Sequence, residues 1–220
     1  MPHKECVYQS LKLMHTKCGT KFENLVFKKI KNDFFGVDAC GHKGVIRFEV
    51  NYIGTSEHSG TRIDAPSYFY RGKLRMHQIP LERLYGPGVI IDVKNHVSRN
   101  HGYKKVSISD IRRWETYHGR IPNGAMVLMN IPGGIEANQR SVHAVGSDSP
   151  SIYTSPSSPP EFSGFVVLFK RNIPVVLSVA NVDRLPSSGS TVFLPAINIY
   201  DGSGAPVRIF AIVPVSKMRY

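Results

Sequence analysis

Short apolar runs separated by turn residues make up most of this chain from residue 44 onward. Apolar and polar residues alternate over Gly44–Gly54, which predicts a half-buried strand. The runs GPGVIIDV (86–93), GAMVLMN (124–130) and SVHAVG (141–146) are mostly apolar and predict further strands, the first two of them buried. Leu81–Leu84 is long enough for a single helical turn.

The segment SISDIRRWETYHG (107–119) has the pattern of a helix. Serine is a preferred N-cap residue, so the helix is predicted to begin at Ser107 or Ser109. Gly119 supplies its C-terminal stop. The apolar residues predicted to share one face are Ile111, Trp114 and Tyr117.

The C-terminal part of the chain predicts more strand than helix. A loop rich in serine and proline spans residues 147–164 and is followed by a block over residues 164–186 whose short apolar runs are typical of strands. Two later apolar runs flank Asp201–Gly204 and predict an antiparallel hairpin. We therefore predict an α/β fold, a single domain around a mixed β-sheet. The basic, poorly patterned residues 1–45 are expected to join the domain formed by residues 46–220.

Composition excludes several classes of protein. Of 220 residues, 41% are hydrophobic and 20% charged, which argues against a disordered chain. No apolar stretch approaches the ~20 residues of a membrane span, so we expect no membrane contact and a cytoplasmic location. The net charge is +12, but the basic residues are dispersed and no nucleic-acid-binding motif accompanies them. The three cysteines, Cys6, Cys18 and Cys40, match neither a disulfide framework nor a zinc signature.

One segment concentrates chemistry-bearing residues: His58-Ser59-Gly60-Thr61-Arg62-Ile63-Asp64-Ala65-Pro66-Ser67-Tyr68. Gly60 permits a tight turn that brings residue 58 back toward residue 62. On an extended segment, positions 62, 64 and 68 point to one side. We therefore predict that positions 58, 62, 64 and 68 converge on one site.

This segment resembles the hallmark of the cyclase family, which includes bacterial-type kynurenine formamidase and isatin hydrolase. The family pattern is His-x-Gly-Thr-His-x-Asp-x-Pro-x-His. The resemblance covers most of the chain from about Phe48 and continues through five further segments: His77–Val93, Trp114–Asn130, Val142–Ile152, Asn172–Phe193 and Asp201–Val213. It implies the family's α/β fold and a homodimer or larger homo-oligomer. It also implies metal-dependent hydrolysis of an amide C–N bond, as in the arylformamidase step of tryptophan and kynurenine catabolism, with zinc or manganese.

The resemblance also shows which functional positions have changed. His58 and Asp64 stand at family metal-ligand positions. Arg62 replaces the second histidine and Tyr68 replaces the acid–base histidine. The family's glutamate falls on Leu177 and its later histidine falls near Phe165, while the segment between residues 130 and 142 looks shortened.

These substitutions oppose metal binding. Arginine stays protonated and has no lone pair for a metal ion. We expect Arg62 to pair instead with Asp64 or Glu57 and to replace the ion electrostatically. The leading prediction is a pseudoenzyme, without cofactor, that acts as a binding or interaction protein.

Alternative readings follow from the same residues. One is an amide hydrolase of arylformamidase type with a rebuilt site, in which zinc or manganese binds His58 and Asp64, with His77 or His143 as further ligands. In a rebuilt site, Tyr68 and Arg62 are the candidate catalytic residues. Arg62 favours a small anionic ligand. The retained turn residues also have a purely structural explanation, since they shape the entry into the core.

Overall fold

The computed structural model describes residues 26–37, 43–93, 106–130, 141–152 and 164–217. The cysteines and the segment 131–140 lie outside these ranges. The chain divides into two compact units, one over Leu11–Ser56 and a larger one that contains Glu57–Tyr220. The predicted division between residues 45 and 46 stays a prediction.

The smaller unit contains a long antiparallel hairpin. Strand β1 (Val26–Val37) pairs with β2 (Lys43–Gly54) in continuous register, from Val26 opposite Gly54 to Val37 opposite Lys43. The alternating pattern of the second strand predicted its position. The first strand was not predicted, because the adjacent lysines 28 and 29 interrupt the alternation that marks a strand.

The larger unit is built on a mixed sheet of eight strands, which confirms the predicted α/β fold class. The sheet order is β10-β8-β4-β5-β6-β7-β3-β9. The four central strands, β4 to β7, are parallel, and the two strands at each edge are antiparallel to their neighbours. The strands are β3 (Arg62–Asp64), β4 (Tyr85–Asp92), β5 (Met126–Asn130), β6 (Ala144–Ser147), β7 (Val175–Leu177), β8 (Ser190–Phe193), β9 (Gly204–Pro206) and β10 (Phe210–Ile212).

Two apolar layers cover the two faces of this sheet. Val89 and Ile91 belong to one buried cluster and Ile90 to the other, as expected for side chains that alternate along a strand. Because the central parallel strands are buried on both faces, they are continuously apolar in sequence. This explains why the apolar runs over residues 86–93 and 124–130 correctly predicted the buried strands β4 and β5.

Helix α1 (Ile108–His118) packs on this sheet. Ser107 is its N-cap: Ser107 Oγ accepts the backbone N–H of Asp110, and the Asp110 carboxylate accepts the N–H of Ser107 in return. The helix ends at Gly119, whose φ is 81°. Of the three residues predicted to share one face, Trp114 is buried and Ile111 packs against the core, whereas Tyr117 is 79% exposed.

Two expectations for the C-terminal part need correction. The first apolar run after residue 163 is a helix, α2 (Gly164–Lys170), and only the second is a strand, β7. An apolar run of this length fits a buried helix as well as a strand. The two runs that flank Asp201–Gly204 do pair in antiparallel fashion, β8 with β10, but β9, which follows the turn directly, pairs with β3.

Short 3-10 turns complete the fold, and the helical turn predicted at Leu81–Leu84 is one of them. Within the described ranges, the others are Pro66–Tyr68, Met76–Gln78, Val182–Arg184 and Val215–Lys217. In the part of the chain that the structure describes, no helix has the length and apolar character needed to cross a membrane.

Candidate functional site

The predicted site is built around the short strand β3. Gly60 adopts a φ of +62°, so the chain turns sharply before it enters the strand. Ile63 points into one apolar cluster, and the flanking Arg62 and Asp64 point to the other face. Arg62 is 6% exposed and Asp64 is fully buried. The strand thus holds a guanidinium and a carboxylate side by side inside the protein.

His58 connects this strand to a loop distant in sequence. Its Nδ1 lies 2.9 Å from Asp64 Oδ1, and its Nε2 lies 3.0 Å from Ser203 Oγ. The hydroxyl of Ser203 donates to Glu57 Oε2 (2.7 Å), and the backbone N–H of Ser203 donates to the same oxygen (3.0 Å). Glu57, His58, Asp64 and Ser203 therefore form one hydrogen-bonded cluster, here called the His58 cluster.

Arg62 is anchored by three acceptors. Its Nε donates to Asp64 Oδ1 at 3.1 Å, the oxygen that His58 also contacts. Its two terminal nitrogens donate to the backbone oxygens of Gly60 (3.4 Å) and Pro150 (3.2 Å). Of the two predicted partners, Arg62 pairs with Asp64, and Glu57 binds Ser203 instead. The guanidinium therefore links β3 to the loop after β6.

Tyr68 closes the cluster on its outer side. Its ring stacks on the ring of His58, with centroids 4.0 Å apart and planes 24° from parallel. Tyr68 is 41% exposed, and Phe69 packs beside it at 4.6 Å. The four positions predicted to converge are thus linked in series: residue 62 contacts residue 64, residue 64 contacts residue 58, and residue 58 contacts residue 68.

The other substituted positions lie in the apolar core. Leu177 on β7 is the register partner of Arg62 on β3, and it is fully buried. Phe165 is buried in α2 and packs against Phe69, with ring centroids 5.4 Å apart. Apolar side chains therefore stand where the resemblance places a glutamate and a histidine.

The two further histidines considered as ligands have other partners. His77 Nδ1 accepts the backbone N–H of Asp201 at 2.9 Å. His143 Nδ1 donates to the backbone oxygen of Tyr85 at 3.0 Å. In each histidine, the Nδ1 atom is therefore occupied by a hydrogen bond to the backbone.

Ser203 and Gly204 were missed by the sequence reasoning. The segment Asp201–Gly204 was interpreted as a turn, yet it supplies the hydroxyl that contacts His58. A Cβ atom at Gly204 would lie 2.6 Å from His58 Cε1 and 2.9 Å from Nδ1. Glycine is therefore required for the ring to fit. The only signal in the sequence was the small size of these residues.

The contacts among Ser203, His58 and Asp64 follow the order of a nucleophilic triad, in which a histidine links a serine to an aspartate. Two features oppose this chemistry. The Ser203 hydroxyl donates to Glu57 rather than to the imidazole. The Ser203 backbone N–H, a group that stabilises an oxyanion in such sites, donates to the same carboxylate. The arrangement is a closed network of hydrogen bonds.

The donors of this site do not fit a divalent metal ion. Both nitrogens of His58 have hydrogen-bond partners, and the same Asp64 oxygen accepts from Arg62. A guanidinium offers no lone pair and repels a cation. Over the described ranges, no group of three or more histidine, cysteine, aspartate or glutamate residues is arranged to hold a metal ion. Three buried side-chain oxygens have no hydrogen-bond partner among the described residues: Asp64 Oδ2, Ser67 Oγ and Ser190 Oγ.

Comparisons with known proteins agree with the resemblance to the cyclase family found in the sequence. Residues 9–134 match the Cyclase family model. An isatin hydrolase of Roseibium aggregatum is 26% identical over an alignment of 200 positions that covers 76% of this chain and 76% of that protein. A kynurenine formamidase of Bacillus mycoides is 25% identical over 165 residues, with 72% of this chain and 78% of that protein covered.

Solved structures share the fold. Isatin hydrolase A from Labrenzia aggregata, bound to benzyl benzoate, superposes with a TM-score of 0.71 at 24% identity, covering 89% of this chain and 87% of that chain. Isatin hydrolase A from Ralstonia solanacearum gives a TM-score of 0.70 at 23% identity, covering 90% and 86%. Because the family model matches more than half of the length of this chain, the chain belongs to the cyclase family.

Proposed function

We propose that this chain is a cyclase-family pseudoenzyme: it has lost the metal-dependent hydrolysis expected of the family and acts as a binding or interaction protein. The observation that carries the proposal is the buried ion pair of Arg62 and Asp64, with Nε and Oδ1 3.1 Å apart. This pair uses the carboxylate that a metal centre would need.

The energetics favour the ion pair over a metal ion. A buried carboxylate needs a cationic or hydrogen-bonding partner, and Arg62 supplies both. A divalent ion at Asp64 would lie beside the Arg62 guanidinium, which repels it, and would have to break the contact of His58 with Ser203 or Asp64. Loss of outer-shell partners alone lowers metal affinity by roughly 10–100-fold, and loss of direct ligands lowers it further.

A second candidate function is amide hydrolysis of arylformamidase type in a rebuilt site. One specific observation favours it: Asp64 Oδ2 is buried and has no partner among the described residues, so it is an oxygen available to a cation. The names of the relatives, isatin hydrolase and kynurenine formamidase, identify the amide substrates to test. In this candidate, zinc or manganese binds His58 and Asp64, and Tyr68 with Arg62 contacts the substrate.

Metal analysis and activity assays separate the two functions. We expect protein purified without added metal to contain less than ~0.1 zinc or manganese per chain and to hydrolyse neither N-formylkynurenine nor isatin. The variant with Arg62→His, Tyr68→His and Leu177→Glu is expected to gain metal. Arg75→His, a change at a half-exposed arginine, is the matched control and should gain none. About one metal ion per wild-type chain, lost in His58→Ala, would overturn the pseudoenzyme proposal.

The proposed interaction partner is a second copy of this chain. In support, Phe210 and Ile212 on the edge strand β10 are 51% and 61% exposed, and Phe210 stacks on Phe193 at 4.9 Å. Edge strands with exposed apolar side chains are prone to pair with another chain. Sedimentation equilibrium should give a dimer for wild type and a shift toward monomer for Phe210→Lys. An unchanged mass in the variant would remove this edge from the interface.

A further inference from the structure

A cavity of about 380 Å³ lies between the C-terminal end of α1, the start of β4 and the start of β8. Its apolar walls include Pro87, Val89, Trp114 and Pro122. Its volume falls within the range of small-molecule sites. None of its lining residues belongs to the His58 cluster, and in the sheet β4 is separated from β3 by β5, β6 and β7.

The charge of this cavity has one sign. Arg120 and His118 line it, and no lining residue among those described is acidic. Arg120 is exposed, and no acidic residue in the described part of the chain forms an ion pair with it. Arg62, which the sequence indicated as the anion-binding residue, has its guanidinium bound to protein acceptors instead. Arg120 is therefore the cation available to a ligand.

The C-terminal end of α1 lies at this cavity and is fixed by two hydrogen bonds. His118 Nδ1 donates to the backbone oxygen of Trp114 at 2.9 Å, and the Gly119 N–H donates to the backbone oxygen of Glu115. Of the last four carbonyl groups of α1, that of Glu115 therefore has a donor. The His118 ring also stacks on Trp114, with centroids 4.6 Å apart.

We propose that this cavity binds a small planar organic carboxylate. A guanidinium binds a carboxylate through two parallel hydrogen bonds, and the apolar walls bury the ring that carries it. This proposal adds a separate site to the proposed function and does not depend on the fate of the metal centre. A failure to bind carboxylate at this cavity would leave the metal analysis unaffected. Metal found at the His58 cluster would likewise leave the cavity proposal unaffected.

Trp114 makes the test specific, because it is the only tryptophan of the chain. We would titrate the full-length protein with benzoate and follow tryptophan fluorescence. We expect a saturable change with a dissociation constant in the roughly millimolar range, as suits a ligand of this size. Benzamide, which has the same shape without the charge, should bind at least about tenfold more weakly.

Variants locate the site. Arg120→Gln should weaken benzoate binding at least about tenfold, and Thr191→Glu, which adds a carboxylate to the lining of the cavity, should abolish it. Arg112→Gln, at an exposed arginine of α1 that does not line the cavity, is the control and should leave affinity within about twofold. Thermal unfolding would verify that each variant folds. A response that fails to saturate, equal affinity for benzamide, or unchanged affinity in both cavity variants would overturn the proposal.

Discussion

Leu177 lies directly opposite Arg62 in the antiparallel pair of β7 and β3. Two positions at which this chain departs from the cyclase pattern are therefore neighbours across one strand pair. A leucine beside the guanidinium offers no competing carboxylate, and among the described residues Arg62 forms its ion pair with Asp64. The two changes are consistent with each other electrostatically, as expected if one charge arrangement has replaced another.

The Arg62–Asp64 pair is expected to contribute strongly to stability. Arg62→Leu leaves a fully buried carboxylate without its cation, which costs about 3–5 kcal/mol. The matched control is Arg75→Leu, which breaks the ion pair of Arg75 with Asp201. The side chain of Arg75 is 41% exposed and that of Asp201 is 64% exposed. That pair should contribute about 1 kcal/mol or less. Urea unfolding measures both, and equal costs would show that burial does not distinguish the pairs.

Gly204 is predicted to be coupled to His58 through space. Gly204→Ala places a methyl group 2.6 Å from the imidazole and should cost about 1–3 kcal/mol. In a His58→Ala background most of this cost should disappear, because the ring that the methyl group strikes is absent. A double-mutant cycle by urea unfolding gives the coupling energy. Additive costs would contradict the contact.

Tyr68 is predicted to stabilise the cluster mainly through its ring. Tyr68→Ala removes the stack on His58 and should cost about 0.5–1.5 kcal/mol beyond the change in buried area. Tyr68→Phe keeps the ring and should cost much less. The chemical shifts of the His58 ring protons report the stack directly. If both variants shift these signals equally, the hydroxyl group and not the ring orders His58.

The N-cap of α1 gives a prediction about where this helix begins. Ser107→Ala removes the oxygen that accepts the Asp110 N–H and should cost about 1 kcal/mol. Ser109→Ala retains this cap and should cost only a few tenths of the free energy that Ser107→Ala costs. Thermal unfolding followed by Trp114 fluorescence measures both. A larger effect at Ser109 would move the start of the helix.

Local patterns in the sequence were sufficient to predict the centre of the site. Side chains alternate along a strand, so Arg62 and Asp64 had to share a face, and Gly60 allowed the turn that returns His58 to them. These relationships span at most ten residues of chain. They depend on backbone geometry alone, and the structure reproduces them.

The partners of the site from distant segments were not predictable in the same way. Ser203 is 145 residues from His58 in sequence and reaches it because β9 is the neighbour of β3 in the sheet. Strand order depends on the packing of the whole sheet and leaves no periodic signal in one segment. The exposed Tyr117 shows the same limit, because the helix period indicates a shared face but not how wide a stripe the core covers.

The arrangement at β3 also bears on how this lineage can change. Arg62→His alone leaves Asp64 without its cation, and Leu177→Glu alone leaves one guanidinium to balance two buried carboxylates. Each single reversion therefore passes through a less stable protein before any metal ligand set is complete. Under the proposed function, recovery of a metal centre therefore requires several substitutions together, and new activities are expected to arise elsewhere on the scaffold.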